Sequence, residues 1–323
     1  MLTPTGQDIF FSESTLEVGR NFCNKIFQAT KLVLGSWADA GLEVPAEGEP
    51  APRTLDLGDL GTAADWDARP AEMFGELWRG IFGGRPPVTI TDGDLGTEDR
   101  WVIGQLLETV AGCNTNMERR RLNDAAYGVF NFFRHEYCDW YLESIKPRLR
   151  DEKLRGPALA VAVLGLGISY KLLHPVMPFI TEELWNWLPP SRGFLMNSSF
   201  PAFTGEVPFT REQADYGRVK EIVTVIRNLR NELGVQPGKR GTAILRTAAA
   251  DEVPGLSDDA ALVELLAKME KLEVTSGGDD PSPAGVGVAG TVEIFLPMAG
   301  LVDLAKEKAR LTKDLGKIEG WMK

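Results

Sequence analysis

Apolar residues recur at three- and four-residue steps along most of the chain, and that spacing predicts helices. From about Ser14 to Leu34, Val18, Phe22, Ile26, Ala29 and Val33 make one apolar face. Beside it runs a second strip of Asn21, Lys25, Gln28 and Leu32, whose first three members are hydrogen-bonding side chains. A further helix is predicted from Trp101 to about Glu118, opened by Asp99. Another runs from Leu122 to Ile145, with a stripe of Ala126, Val129, Phe130, Phe133, Tyr137, Trp140 and Tyr141, and Pro147 ends it. Pro157 suits a first helical turn, so the next helix runs from there to about Leu173. A short one, Phe179 to Leu188, stops at Pro189-Pro190. Amphipathic helices joined by short breaks describe a helical bundle over residues 1–200.

The pattern fails in one place and changes in another. Residues 41–98 hold Pro45, Pro50, Pro52, Pro70, Pro86 and Pro87 with several glycines. They read as a loop-rich insertion with one short helix near Ala71 to Ile81 and a hairpin around Val88 to Thr91. After residue 200, a basic helix from about Ala214 to Leu233 precedes β-like runs at Thr242 to Arg246, Leu272 to Thr275, Gly285 to Val288 and Thr291 to Leu296. A helix from Asp258 to Glu270 interrupts them, so residues 201–300 form a small α/β unit. In residues 301–323, Leu304, Lys308, Leu311, Leu315, Ile318 and Met322 follow a heptad seam. Such a helix needs a partner, and the reading is that the chain is cut within a longer protein. The expected class is therefore mainly α.

Composition changes this picture little. The chain has 323 residues, 43% hydrophobic and 25% charged, an ordinary globular mix long enough for two domains. The run from Ala158 to Ile168 is far short of the roughly 20 residues of a membrane span, and Met1-Leu-Thr-Pro lacks a signal peptide's basic start. The expectation is a cytoplasmic protein without membrane contact. Cys23, Cys113 and Cys138 are far apart and form no C-x-x-C pair, which argues against a disulfide framework or a cysteine zinc site.

Charge changes it more. The net charge of −11 argues against a nucleic-acid partner, but the acid is segregated. Residues 36–100 carry a net −9 and residues 251–280 a net −7, so the rest of the chain is basic. From Asp215 to Arg246 the balance is +4, with Arg218, Lys220, Arg227, Arg230, Lys239, Arg240 and Arg246 as the cations. Arg119-Arg120-Arg121 sits at a helix end, where it either complements the helix dipole or meets phosphate.

Enzymatic chemistry is poorly supplied. His135-Glu-Tyr-Cys138 lacks the second histidine of a zinc-protease helix and lacks a group to orient a nucleophile. No phosphate-binding G-x-x-x-x-G-K-[ST] string occurs. No catalytic residue, metal site or cofactor site is expected in this chain.

Several strings are more particular. Gly6-Gln-Asp-Ile9 precedes Arg20-Asn-Phe-Cys-Asn-Lys-Ile-Phe-Gln-Ala-Thr30. Then come Asp99-Arg-Trp101, Cys138-Asp-Trp-Tyr-Leu-Glu-Ser-Ile-Lys146 and Leu172-Leu-His-Pro-Val-Met-Pro-Phe-Ile-Thr-Glu-Glu-Leu-Trp185. Last are Ile226-Arg-Asn-Leu-Arg-Asn-Glu232 and Val292-Glu-Ile-Phe-Leu-Pro-Met-Ala-Gly-Leu-Val-Asp303. In this order they resemble the C-terminal half of the valyl-tRNA synthetase family, class I aminoacyl-tRNA synthetases, everywhere except the acidic insertion.

The resemblance implies an anticodon-binding bundle, a linking α/β domain and the first strand of a C-terminal coiled coil. It implies a valine-accepting tRNA as partner, with the catalytic domain of the same polypeptide missing, a monomeric state and no DNA partner. Carried over by position, the anticodon loop meets Asn21, Lys25, Gln28 and Leu32, and Leu142, Glu143 and Lys146. Arg227, Arg230, Lys306 and Lys313 are the candidates for the tRNA backbone. Such a seat makes chemical sense: splayed loop bases are read by amides and a carboxylate while lysines meet phosphate. The family's parent enzyme ligates valine to tRNA with ATP and magnesium. The class I catalytic strings, His-x-Gly-His and Lys-Met-Ser-Lys-Ser, do not occur here, so this chain alone is expected to be inactive. Three other readings stand beside it: the isoleucyl counterpart, which would carry a C-terminal cysteine cluster; a helical protein scaffold docking through the acidic insertion; and a hydrolase using Cys138 and His135, which would need a reactive thiol.

Overall fold

The computed structural model describes residues 13–43, 55–301 and 312. The chain divides into two compact units at residues 213 and 214. The division therefore falls inside a helix and not at residue 200.

In the first unit, α1 spans Glu13–Asp39 and buries Phe22, Ile26, Ala29, Val33 and Trp37, the predicted apolar face extended by one turn. It lies against a long helical rod formed by α5 (Leu122–Asn131), a π-helical segment (Phe132–Tyr141) and α6 (Leu142–Ser144). The Phe22 ring meets Phe130 at 4.5 Å and Phe133 at 6.0 Å. The sequence predicts one regular helix here, and the ten π residues are the difference. Burial within the segment repeats at Phe132 and Phe133, Tyr137 and Cys138, and Tyr141 and Leu142. That interval exceeds the 3.6 residues of an α-turn, and the wider π-turn keeps Phe133, Tyr137 and Tyr141 on one inner face.

That inner face packs on α7 (Arg155–Leu173), which is mostly apolar on every side and buried from Pro157 to Leu173. α7 is long and apolar enough to cross a membrane, contrary to the expectation from the shorter run, yet here it is the core helix of the bundle. Two of its glycines set the fit. A methyl on Gly165 would lie 2.6 Å from the Tyr137 ring, and one on Gly167 would lie 2.5 Å from Phe82. With the ring seated, the Tyr137 hydroxyl donates to the Ala162 carbonyl at 2.6 Å. α4 (Thr97–Glu118) and α8 (Pro178–Trp187) complete the bundle.

The acidic insertion is not a surface appendage. α2 (Ala63–Ala68) and α3 (Pro70–Phe82) bury Trp66, Phe74, Leu77, Trp78, Ile81 and Phe82 completely or nearly so. Phe82 stacks on Trp185 of α8 at 5.6 Å. The acids occupy the outer side of these helices. Leu55–Asp56 (β1) pairs in parallel with Pro201–Ala202 (β2), which ties the insertion to the end of the bundle. The predicted hairpin at Val88 to Thr91 does not form; those residues are irregular, and Thr91 and Asp94 make a capping box around a short 3-10 turn.

A buried charge cluster locks one end of the bundle. Asp99, wholly buried in the first turn of α4, accepts from the Gly96 amide at 3.0 Å and from the Tyr141 hydroxyl at 2.8 Å. Arg148 donates to Asp99, to Glu98 at 2.7 Å and to the Asp94 carbonyl at 2.8 Å. Burial pushes the Asp99 carboxyl up to about 6 against the pull of Arg148. Burial works against the Arg148 charge, yet Asp99 and Glu98 hold its pKa above the ordinary arginine value.

The second unit holds most of α9 (Thr210–Glu232), α10 (Val253–Asp258), α11 (Ala260–Ala267) and a mixed sheet in the order β4-β3-β6-β5. β3 (Thr242–Thr247) pairs in parallel with β4 (Lys271–Thr275), and α10 and α11 form the crossover that parallel strands require. β5 (Ala284–Ala289) and β6 (Val292–Pro297) are antiparallel neighbours. All four strands match the runs read from the sequence to within a residue or two. Gly285 and Gly287 on β5 admit Leu233 and Val225 onto the strand, where a methyl would meet them at 2.9 and 2.5 Å. Apart from Leu301 and Thr312, the heptad segment 301–323 lies outside the described residues.

Candidate nucleic-acid interface

The α1 strip and the Cys138–Lys146 segment come together. Lys25 on α1 reaches across to Asp139, whose second carboxylate oxygen meets His135 Nδ1 at 3.2 Å. Asp139 and Glu143 are one turn apart on the rod, and Lys146 donates to Glu143 at 2.6 Å. Asn21 and Gln28 are exposed and flank Lys25 at helical spacing; Leu32 is 39% exposed. Asn21, Lys25, Gln28, Leu32, Glu143 and Lys146 are thus all accessible on the two helical elements that Lys25 and Asp139 join.

Leu142 is the exception. It is 3% exposed, in the bundle core, and cannot offer a face to a base. The reason is the π segment. Leu142 follows Cys138 by four residues, and both fall on the inner face that the π-turn rotates inward. Asp139 and His135 adjoin the predicted strip, and the sequence reading did not name them as RNA ligands. The signal was present in the i, i+4 spacing of His135, Asp139 and Glu143 beside a lysine-bearing strip.

The strip's charges are paired among themselves. Lys25 faces Asp139 and Lys146 faces Glu143, so this surface offers hydrogen-bonding edges with little net charge. The basic α9 supplies less free charge than its composition suggests. Arg230 is 7% exposed and donates to the Lys239 carbonyl at 2.8 Å, so its assignment to an RNA backbone is corrected: it ties the end of α9 to the loop before β3. Arg227 is exposed but donates twice to the Leu266 carbonyl at the end of α11. Arg218 pairs with Asp259 at 2.8 Å, and Arg246 with Asp280 and Glu293. Lys306 and Lys313 lie outside the described residues.

Cys138 is not set up as a nucleophile. Burial pushes the Cys138 thiol up to about 12, which removes the thiolate a nucleophile needs. No group of three metal-ligating side chains occurs among the described residues. An open groove of about 560 Å³ between α4 and the rod is lined by Gln105, Asn116, Asn131 and His135, but Glu108, Asp124 and Glu136 also line it and disfavour phosphate.

Residues 99–245 match the family described as the anticodon-binding domain of tRNA ligase. The match opens on Asp99 of the buried cluster and takes in Asp139 to Lys146, but not α1. Beyond it, the chain is 35% identical over 239 residues to the valine–tRNA ligase of Syntrophotalea carbinolica, covering 72% of this chain and 26% of that protein. It is 32% identical over 318 residues to the valine–tRNA ligase of Geobacter sulfurreducens, covering 97% of this chain and 31% of the relative. The Fusobacterium nucleatum valine–tRNA ligase is 28% identical over 324 residues, 98% of this chain and 32% of that protein. The chain is a homologue of valine–tRNA ligases over most of its length. It spans about a third or less of the length of these curated relatives. The full-length similarity includes α1, so the strip and the rod belong to one homologous region.

Proposed function

We propose that this chain is the tRNA-binding region of a valine–tRNA ligase, and that Asn21, Lys25, Gln28, Leu32, Glu143 and Lys146, with Asp139 and His135, seat the anticodon loop. The observation that carries the reading is the Lys25–Asp139 pair, which brings two separately predicted sets of residues together. Amides at Asn21 and Gln28 and the carboxylate of Glu143 can each recognise the edge of an unstacked base. Leu32 supplies an apolar surface beside them. Within the whole ligase, valine activation with ATP and magnesium belongs to residues outside this chain. The chain by itself binds RNA and transfers nothing.

Lys25→Ala together with Gln28→Ala tests the seat. Both side chains are on the outer side of α1, so the fold is retained. Binding of valine tRNA, followed by fluorescence titration at low salt, is expected to weaken by roughly tenfold, the equivalent of about one lost hydrogen bond to a charged group. Equal affinity for the variant and the unaltered chain, with unchanged circular dichroism, would remove α1 from the interface.

A further inference from the structure

The strip reads bases but carries little unpaired charge, and the tRNA-binding reading requires phosphate contacts elsewhere. We propose that the turn between α4 and α5, Arg119-Arg120-Arg121, is a second RNA contact that grips the phosphate backbone while the strip holds the loop. The inference rests on the tRNA-binding reading and adds to it a site at the opposite end of the rod, roughly 30 Å from Glu143 by helix rise.

The turn carries two arginines where local stability favours other residues. α4 closes with its last carbonyls satisfied twice: the Arg121 amide donates to the Asn116 carbonyl at 2.7 Å and the Arg120 amide to the Met117 carbonyl at 3.0 Å. This is the Schellman pattern, and it puts Arg120 at φ 59°, a conformation that glycine adopts far more easily. Arg121 then occupies the N-cap of α5 and makes no side-chain cap. Serine, threonine, aspartate or asparagine stabilises that position, and a cation there opposes the helix dipole. Arg119, at the C-terminus of α4, is the one whose charge the dipole favours.

Nor does an acid explain them. All three arginines are exposed, and none has a carboxylate partner within 4 Å among the described residues. Two adjacent positions that depart from the locally stable choice, with their charges left to solvent, mark a functional surface. The flank fits the same partner. Tyr127 is half-exposed and lies parallel to Phe130 at 6.1 Å, and the Arg134 guanidinium sits over Phe130 at 5.8 Å. Guanidinium groups with no carboxylate partner suit phosphate, and a half-exposed aromatic ring further along α5 can stack with an unpaired base.

The test is a double variant, Arg120→Gly with Arg121→Ser, in the 323-residue chain. Each change installs the residue the backbone prefers, so the melting temperature is expected to rise. Affinity for a valine tRNA transcript is expected to fall by about tenfold at low salt. The slope of log affinity against log salt is expected to shrink by about 1 to 2, one increment for each lost phosphate contact. A purely structural role for the turn moves stability and leaves that slope alone. A variant with unchanged affinity and slope overturns the inference while wild-type binding keeps the tRNA reading intact. A variant that melts lower also overturns it, because the two arginines would then be the stable choice. Absence of any wild-type binding would instead sink the tRNA reading itself.

Discussion

Arg148→Met is expected to cost about 3–5 kcal/mol of folding stability, measured by urea denaturation at pH 7. The side chain keeps much of its length, so packing is largely retained. The change strips the counter-charge from Asp99, which is wholly buried, and from Glu98 beside it. It also removes the donor to the Asp94 carbonyl. Breaking one side of a buried pair leaves the other side desolvated and uncompensated, and that cost exceeds the loss of the pair's own attraction. Adding Asp99→Asn to the variant is expected to restore part of the loss, because an amide buried there carries no charge while its oxygen still accepts from Tyr141 or Gly96. A loss below about 1 kcal/mol for Arg148→Met, typical of an exposed pair, would show that water reaches the cluster. Since Tyr141 of the π segment donates to Asp99, the variant should also loosen the end of the rod that carries Glu143 and Lys146.

Lys171→Met is expected to act in the opposite direction. Lys171 is 2% exposed, inside α7, with its ammonium 5.2 Å from the Trp185 ring and 3.3 Å from the Ser199 carbonyl. Burial lowers its pKa to about 8. The folded state therefore binds fewer protons than the unfolded chain between pH 8 and the ordinary lysine value of 10.5. Stability of the unaltered chain rises with pH through that window and falls as pH drops back through 8. Methionine removes the buried charge and fills the same space, so the variant should be more stable at pH 7 by about 1–3 kcal/mol, the upper end being the free-energy equivalent of the shift. The advantage should vanish by pH 10.5. A variant that is less stable at pH 7, by an amount that does not change with pH, would mean that the contacts of the ammonium outweigh its burial.

The sequence reveals the fold where periodicity is regular and hides it where a local rule is broken. α1 follows from the spacing of one buried face and the four strands from short β-like runs, while α4 and α7 are placed by the residues that open them, Asp99 and Pro157. The helix read near Ala71 to Ile81 forms as α3, but the prolines and acids around it suggest a loop-rich insertion, and its stripe of Met73, Phe74, Leu77, Trp78 and Ile81 is in fact buried. Net charge describes the outer side of a helix and says nothing of its inner side. The π segment has no local signature that 3.6-residue counting detects, and it is what sends Leu142 inward while Glu143 stays accessible. Arg230 misleads for a related reason. A cation count treats every arginine as solvated, whereas a planar guanidinium with several donors is well suited to tie together buried carbonyls.

The candidate interface was half legible. Helical spacing groups Asn21, Lys25 and Gln28, but only the fold brings Asp139 to Lys25. The local cost at Arg120 and Arg121 could not be seen in the sequence at all, since it depends on the backbone angle and cap position that those residues occupy.

The central claim is that a folded RNA's anticodon loop sits on the strip that Lys25 and Asp139 join. The direct measurement is a competition titration in which a short hairpin bearing the valine anticodon displaces labelled valine tRNA from the chain. The account predicts displacement by that hairpin and weaker displacement by the same stem carrying a scrambled loop. Equal displacement by both hairpins, or by neither, would contradict it.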